Sequence, residues 1–208
     1  MKILCHRGLW NKIEQQNTID AFKMAFGSGF GIELDVRDLK SEIIISHDPS
    51  SCAHSVLLSD FFDLFNMCKE KNQMLAINIK TDGIALAINR LVNQYNISNY
   101  FTFDMSIPEM LRYKNIGLKY FARLSEYEKD PIMIDNASGI WLDAFETEWY
   151  DEDYLNNLLQ NKKNICIVSS ELHGRENQNQ WVLLKKLPDN DDIMLCTDNP
   201  YEAREYFK

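Results

Sequence analysis

The sequence predicts an α/β protein, a compact single-domain (β/α)8 TIM barrel spanning residues 1–208. Three observations predict it. Eight short apolar, β-branched runs alternate with segments of helical period. Polar and ionisable residues collect at the C-terminal ends of those runs, the end where barrels carry their chemistry. No linker, low-complexity segment or fixed-identity repeat divides the chain. An open doubly wound sheet is the competing architecture, but no Gly-x-Gly-x-x-Gly or Gly-x-x-x-x-Gly-Lys follows a strand. A typical barrel takes roughly 250 residues, so at 208 residues the loops must be short.

The candidate strands are 2–7, 31–37, 74–80, 100–105, 119–124, 139–145, 164–170 and 192–197, with an extra strand-like run at 42–46. Between the first two, Thr18 to Phe26 places Ile19, Phe22 and Phe26 on one stripe and stops at Gly27. Ser59 to Cys68 sets Phe61, Phe62, Phe65 and Cys68 on another, with Ser59 or Asp60 as cap. Helical period continues over 84–92, 108–113, 153–159, 181–187 and 201–207. Pro108 and Pro200 fall in first helical turns, where the missing N–H is harmless.

Composition narrows the function. Hydrophobic residues make up 45% of the chain and the net charge is −9, with no long Lys/Arg cluster, which argues against nucleic acid and anionic membranes as partners. Cys5, Cys52, Cys68, Cys166 and Cys196 are odd in number and form no Cys-x-x-Cys pair, so neither a disulfide framework nor a zinc site is indicated. Cys5, Cys166 and Cys196 lie inside apolar runs and read as reduced core residues. The chain passes from Met1-Lys2 straight into a strand, with no apolar stretch of signal or membrane length, and a cytoplasmic location is expected.

Two histidines sit at the mouths of apolar runs, His6 after Ile3-Leu4-Cys5 and His47 after Ile43-Ile44-Ile45-Ser46. Between them, Ile32-Glu33-Leu34-Asp35-Val36 sends Glu33 and Asp35 to one face and the apolar residues to the other. Two carboxylates on one face suit a hard cation, and two flanking imidazoles suit an acid and a base. That combination fits metal-assisted cleavage of a phosphate ester. Asn78 and Lys80 share a face of the third run and project together at its end. Asp104, Asp143 and Asp198, also at strand ends, read as caps or solvated loop residues. Trp10, Trp141, Trp149 and Trp181 read as packing residues.

Four short motifs occur in order: His6-Arg7-Gly8; Gln16-Asn17-Thr18 with Ala21-Phe22; Glu33-Leu34-Asp35-Val36; and His47-Asp48. Together they resemble the N-terminal signature of the glycerophosphodiester phosphodiesterase family, within the phosphatidylinositol-phospholipase-C-like barrel superfamily. Ile77-Asn78-Ile79-Lys80 resembles the next motif of that family, and Thr197-Asp198-Asn199-Pro200 its closing Thr-Asp-x-Pro. The resemblance implies His6 and His47 as acid and base, Glu33 and Asp35 as ligands of one divalent cation, Mg²⁺ or Ca²⁺, and Arg7 and Lys80 as phosphoryl contacts. The substrate it implies is a small phosphodiester, with glycerophosphodiester-like and sugar- or polyol-linked forms both open.

Three departures bear on that expectation. Gln16 stands where the family has Glu. Asn78 stands where the family supplies a third metal carboxylate; its amide oxygen still ligates a hard cation, with one charge fewer. Between His47 and Asn78 there is room for one helix and no substrate-recognition insertion. A second cluster, Ser169-Ser170-Glu171-Leu172-His173-Gly174-Arg175, follows the seventh run. Glu171, His173 and Arg175 are candidates for selecting the alcohol of the substrate, against the alternative of a solvated loop with a Gly turn. Two other functions compete: a catalytically silent relative that binds a phosphorylated sugar or headgroup, and a metal-dependent isomerase or aldolase of barrel fold.

Overall fold

Strands and helices alternate along most of the computed structural model, which describes residues 1–49, 55–68, 73–161 and 163–208. All eight predicted strands form. The chain falls into two compact units, Cys5–Tyr120, and Met1–Leu4 with Phe121–Lys208.

The first unit takes the last two residues of β1 (Lys2–His6), followed by α1 (Ile19–Gly27), β2 (Gly31–Leu39), β3 (Glu42–Ile45), β4 (Val56–Leu57), α2 (Leu58–Met67), β5 (Leu75–Ile79), α3 (Ala85–Gln94), β6 (Tyr100–Phe103) and α4 (Ile107–Asn115). β2 pairs in parallel with β5, and β5 with β6. Residues 31–36 and all of β5 and β6 are buried without alternation, as expected of parallel strands covered on both faces. The helices cover them through an aromatic layer. Phe22 of α1 meets Phe61 of α2 edge-on at 4.8 Å between centroids, and Phe26 lies 5.4 Å from Phe65. Thr18 caps α1 by accepting from Ala21 N at 3.3 Å.

The strand-like run at 42–46 proves to be a hairpin arm. β2 continues to Leu39, turns through Lys40 and Ser41 at φ 50° and 72°, and returns as antiparallel β3 with Leu39 opposite Glu42 and Val36 opposite Ile45. Positive φ at both turn residues is the type I′ geometry usually written Asn-Gly, so Lys-Ser gave no turn signal. The two-residue β4 pairs with β3 and carried no sequence signal of its own.

The second unit holds β7 (Phe121–Leu124), β8 (Gly139–Leu142), α5 (Glu152–Gln160), β9 (Asn164–Val168), α6 (Gln178–Leu184), β10 (Ile193–Thr197) and α7 (Pro200–Tyr206). β7, β8, β9 and β10 pair consecutively in parallel. β8 and β9 stop two or three residues before their predicted ends, because Asp143 turns into a loop and Ser170–His173 forms a 3-10 turn. α6 lies about three residues earlier than its period suggested, with Gln180, Trp181 and Leu184 buried. Pro108 and Pro200 take first-turn positions in α4 and α7.

Cys5, Cys166 and Cys196 are buried, as are Trp141 and Trp181. Trp149 packs against Tyr150 and Tyr154. Cys52 lies outside the described residues. Among the described residues, no helix is long and apolar enough to cross a membrane.

Candidate active site

The first unit brings Arg7, Glu33, Asp35, Asn78 and Lys80 together, and the local backbone explains how. β1 ends in a tight reversal, with Arg7 at φ 57° and Gly8 at φ 90°. A Cβ on Gly8 would lie 2.9 Å from Ala21 Cβ, so only glycine lets α1 pack this closely behind the turn. Arg7 N donates to Glu33 O at 2.9 Å and approaches Glu33 Oε2 at 3.3 Å, which ties the turn to β2. Trp10 Nε1 donates to His6 O at 2.9 Å and fixes the backbone of the first histidine.

Parallel register supplies the rest. Asp35 lies opposite Asn78 across β2 and β5, so the two side chains share a face, and Lys80 follows on the same face two residues on. Asp35 is fully buried and heavily engaged. Arg7 Nε lies 2.8 Å from Oδ2, Asn17 Nδ2 donates to Oδ2 at 3.0 Å, and Lys80 Nζ lies 3.4 Å from Oδ1. Gln16 Oε1 accepts from Arg7 Nη1 at 3.2 Å, so this amide orients the guanidinium. Arg7 and Lys80 therefore rest on Asp35, and sequence reasoning, which assigned both to phosphate, did not foresee this shared counter-ion. Asn17 was part of a motif but had no role; its bond to Asp35 supplies one.

Glu33 is buried too, yet the contacts to it are weaker: His6 Nε2 stands 4.0 Å from Oε2. Burial and the neighbouring Asp35 push its carboxyl up to about 7, against the opposing pull of His6, Arg7 and Lys80. In metal-free protein this has a definite sign. The folded state holds the Glu33 proton up to about pH 7, whereas the unfolded chain releases it near 4.5. The contribution to stability is thus full below about pH 4.5 and is lost as pH rises to about 7. Between about pH 5 and pH 8 in a chelator, Glu33→Gln should gain in urea midpoint relative to the parent; parallel midpoints would contradict the shift.

His47 reaches this region through the hairpin. Ser46 N donates to Asp35 O at 3.0 Å, so His47 begins one residue beyond the level of Asp35. Arg37 Nε holds His47 O at 2.8 Å, and Asp48 Oδ1 lies 2.9 Å from His47 Nδ1. The ring is 45% exposed.

The residues fit a hard cation in part. The donors are all oxygens, two carboxylates and one amide, and the Asn78 Oδ1 atom is buried without a hydrogen-bond partner among the described contacts. An acceptor left that way calls for a donor or a cation. The set is lean: among the described residues no group of three or more His, Cys, Asp or Glu side chains is arranged to hold a metal. The third donor is the amide.

The second cluster sits in the other unit and divides. Glu171 is tied inward, accepting from Ser169, Thr197, Asn177 and the backbone N of Asp198. Arg175 pairs with Glu148 and donates to Ala144 O. Both brace the loop. His173 differs, since its Nε2 lies 2.6 Å from Asp143 Oδ1. Asp143 is accordingly a buried partner of an imidazole and neither a helix cap nor a solvated residue.

No family model and no curated protein matches the chain. Solved structures do. A glycerophosphodiester phosphodiesterase from Agrobacterium tumefaciens matches with a TM-score of 0.70 at 15% identity, covering 98% of this chain and 99% of that one. A Silicibacter pomeroyi protein assigned as a glycerophosphoryl diester phosphodiesterase gives 0.75 at 10% identity, over 99% and 92%. An Oleispira antarctica phosphodiesterase in complex with the product sn-glycerol-3-phosphate gives 0.68 at 12% identity, over 99% and 96%. These likenesses define the class by fold. The chain is a (β/α)8 barrel of the kind carried by the glycerophosphodiester phosphodiesterases, and the open doubly wound sheet is set aside.

Proposed function

We propose that the protein is a metal-dependent phosphoric diester hydrolase, a divergent, short relative of the glycerophosphodiester phosphodiesterases. The observation that carries this reading is the charge cluster around Asp35. Arg7 and Lys80, each about one-fifth exposed, are held on one buried carboxylate beside Glu33 and Asn78. The same residues form the motifs that resemble this family, on a fold shared with its solved members.

Glu33, Asp35 and Asn78 Oδ1 would hold one Mg²⁺ or Ca²⁺, which when bound supplies Lewis-acid polarisation of a non-bridging phosphate oxygen. Arg7 and Lys80 place fixed positive charge at the phosphoryl group, where a preorganised cation outperforms water. Of His6 and His47, one takes the proton of the attacking hydroxyl, from water or from the substrate itself, as the new P–O bond forms. The other gives a proton to the leaving oxygen as the old P–O bond breaks. Imidazole suits both roles because either of its protonation states is accessible near neutral pH. The substrate is a small phosphodiester; with no insertion between His47 and Asn78, glycerophosphodiesters themselves are poorer candidates than sugar- or polyol-linked diesters.

Release of p-nitrophenol from bis(p-nitrophenyl) phosphate tests the reading. Turnover should appear with Mg²⁺ or Ca²⁺ and vanish in excess chelator; absence of turnover with every divalent cation tried would overturn it. The silent-relative reading is favoured by one feature, the replacement of a metal carboxylate by Asn78. Calorimetric titration separates the two: phosphate-ligand binding without any Mg²⁺ or Ca²⁺ binding supports the silent form.

A further inference from the structure

His173 belongs to neither the phosphodiester cluster nor the bracing of its own loop. Asp143 follows directly on β8, and its side chain is 9% exposed. Ala144 N donates to Asp143 Oδ1 at 2.9 Å, and His173 Nε2 reaches the same atom at 2.6 Å. A buried carboxylate requires such donors, so the Nε2 position carries a proton, and an uncharged imidazole held this way presents Nδ1 as an acceptor. The imidazole is 23% exposed, and the half-buried Phe145 ring lies beside it with centroids 4.9 Å apart. The residues involved all follow C-terminal ends of parallel strands, the face on which barrels carry ligand groups.

Charge selects the ligand. The Asp143 carboxylate stands against this ring, and Arg175, which donates to the neighbouring Ala144 O, is itself paired with Glu148. An anionic group meets repulsion there, whereas a neutral hydroxyl meets an oriented acceptor. The aromatic surface next to that acceptor matches a ligand with an apolar C–H face, and alternating hydroxyls and C–H faces are the chemistry of sugars.

We propose that Asp143, His173 and Phe145 form a binding site for an uncharged sugar ring. His173 Nδ1 accepts a hydroxyl proton, Asp143 holds the imidazole in the tautomer that does so, and Phe145 takes the C–H face. The proposal is independent of the phosphodiesterase reading, and its test measures binding, not turnover.

Saturation-transfer difference NMR on the full chain, with D-glucose, D-galactose and D-mannose as probes and glucose 6-phosphate as the anionic comparison, reads the site directly. Transfer to at least one neutral sugar is expected, weaker for glucose 6-phosphate. It should be lost in His173→Ala and in Phe145→Ala, and retained in Glu202→Gln, an exposed position in the first turn of α7. Should His173→Ala fail to fold, His173→Gln and Phe145→Leu serve in its place, each with circular dichroism as a check on folding. No transfer from any of the three sugars, or transfer unchanged in the folded His173 and Phe145 variants, overturns the proposal.

Discussion

Replacing His6 or His47 with alanine should lower kcat on a phosphodiester by about 10²–10⁴-fold, the range for a positioned general acid or base. The two substitutions test different geometry. His6 is held through its backbone by Trp10 and stands 4.0 Å from Glu33. His47 hangs from the hairpin with Asp48 on Nδ1. Because His47 is 45% exposed, its loss should leave the thermal midpoint within error of the parent, so a fall in kcat reports chemistry alone. If the two act in one proton relay, the double variant falls by far less than the product of the single effects. Near-normal kcat in both single variants removes the acid–base assignment.

The second large effect concerns stability. Asp35 is the buried counter-ion of both Arg7 and Lys80. Asp35→Asn keeps the shape but leaves two partly buried cations without their shared partner. Breaking such a pair typically costs about 3–5 kcal/mol. Two features pull the expected loss to the lower end, about 3 kcal/mol: Arg7 and Lys80 keep some solvent, and removing Asp35 lowers the Glu33 carboxyl so that it takes over part of the pairing. Adding Lys80→Met should restore part of the loss by removing one orphaned charge. A loss below about 1 kcal/mol, as for exposed ion pairs, would mean that the cluster does not hold the charge balance of the site. Urea unfolding at neutral pH measures it.

Local pattern made much of this legible. Alternation within β2 put Glu33 and Asp35 on one face, and strand parity put Asn78 beside Lys80; the register of β2 against β5 agrees. The eight strands announced themselves because buried parallel strands are continuous apolar runs. What escaped the sequence depends on contacts distant along the chain. Arg7 and Lys80 were readable as cations near phosphate, but their common seat on Asp35 is a tertiary fact. Asp143 read as a cap because its partner, His173, lies 30 residues away. Glu171 and Arg175 were candidates for the substrate alcohol or members of a solvated loop, and nothing local reveals their bonds to Thr197 and Glu148. The Lys40–Ser41 turn was hidden by its residues, which adopt positive φ without the usual Asn or Gly.

The account rests on Glu33, Asp35 and the Asn78 amide sharing one divalent cation within reach of the two imidazoles. A crystal structure of the protein soaked with Mn²⁺ in place of Mg²⁺, read by its anomalous signal, tests this most directly. The account predicts a single ion bonded to oxygens of Glu33 and Asp35 and to Asn78 Oδ1, with the Lys80 ammonium moved off Asp35. An Asp35 still clasped by Arg7 and Lys80, with no anomalous peak beside it at saturating Mn²⁺, would contradict it.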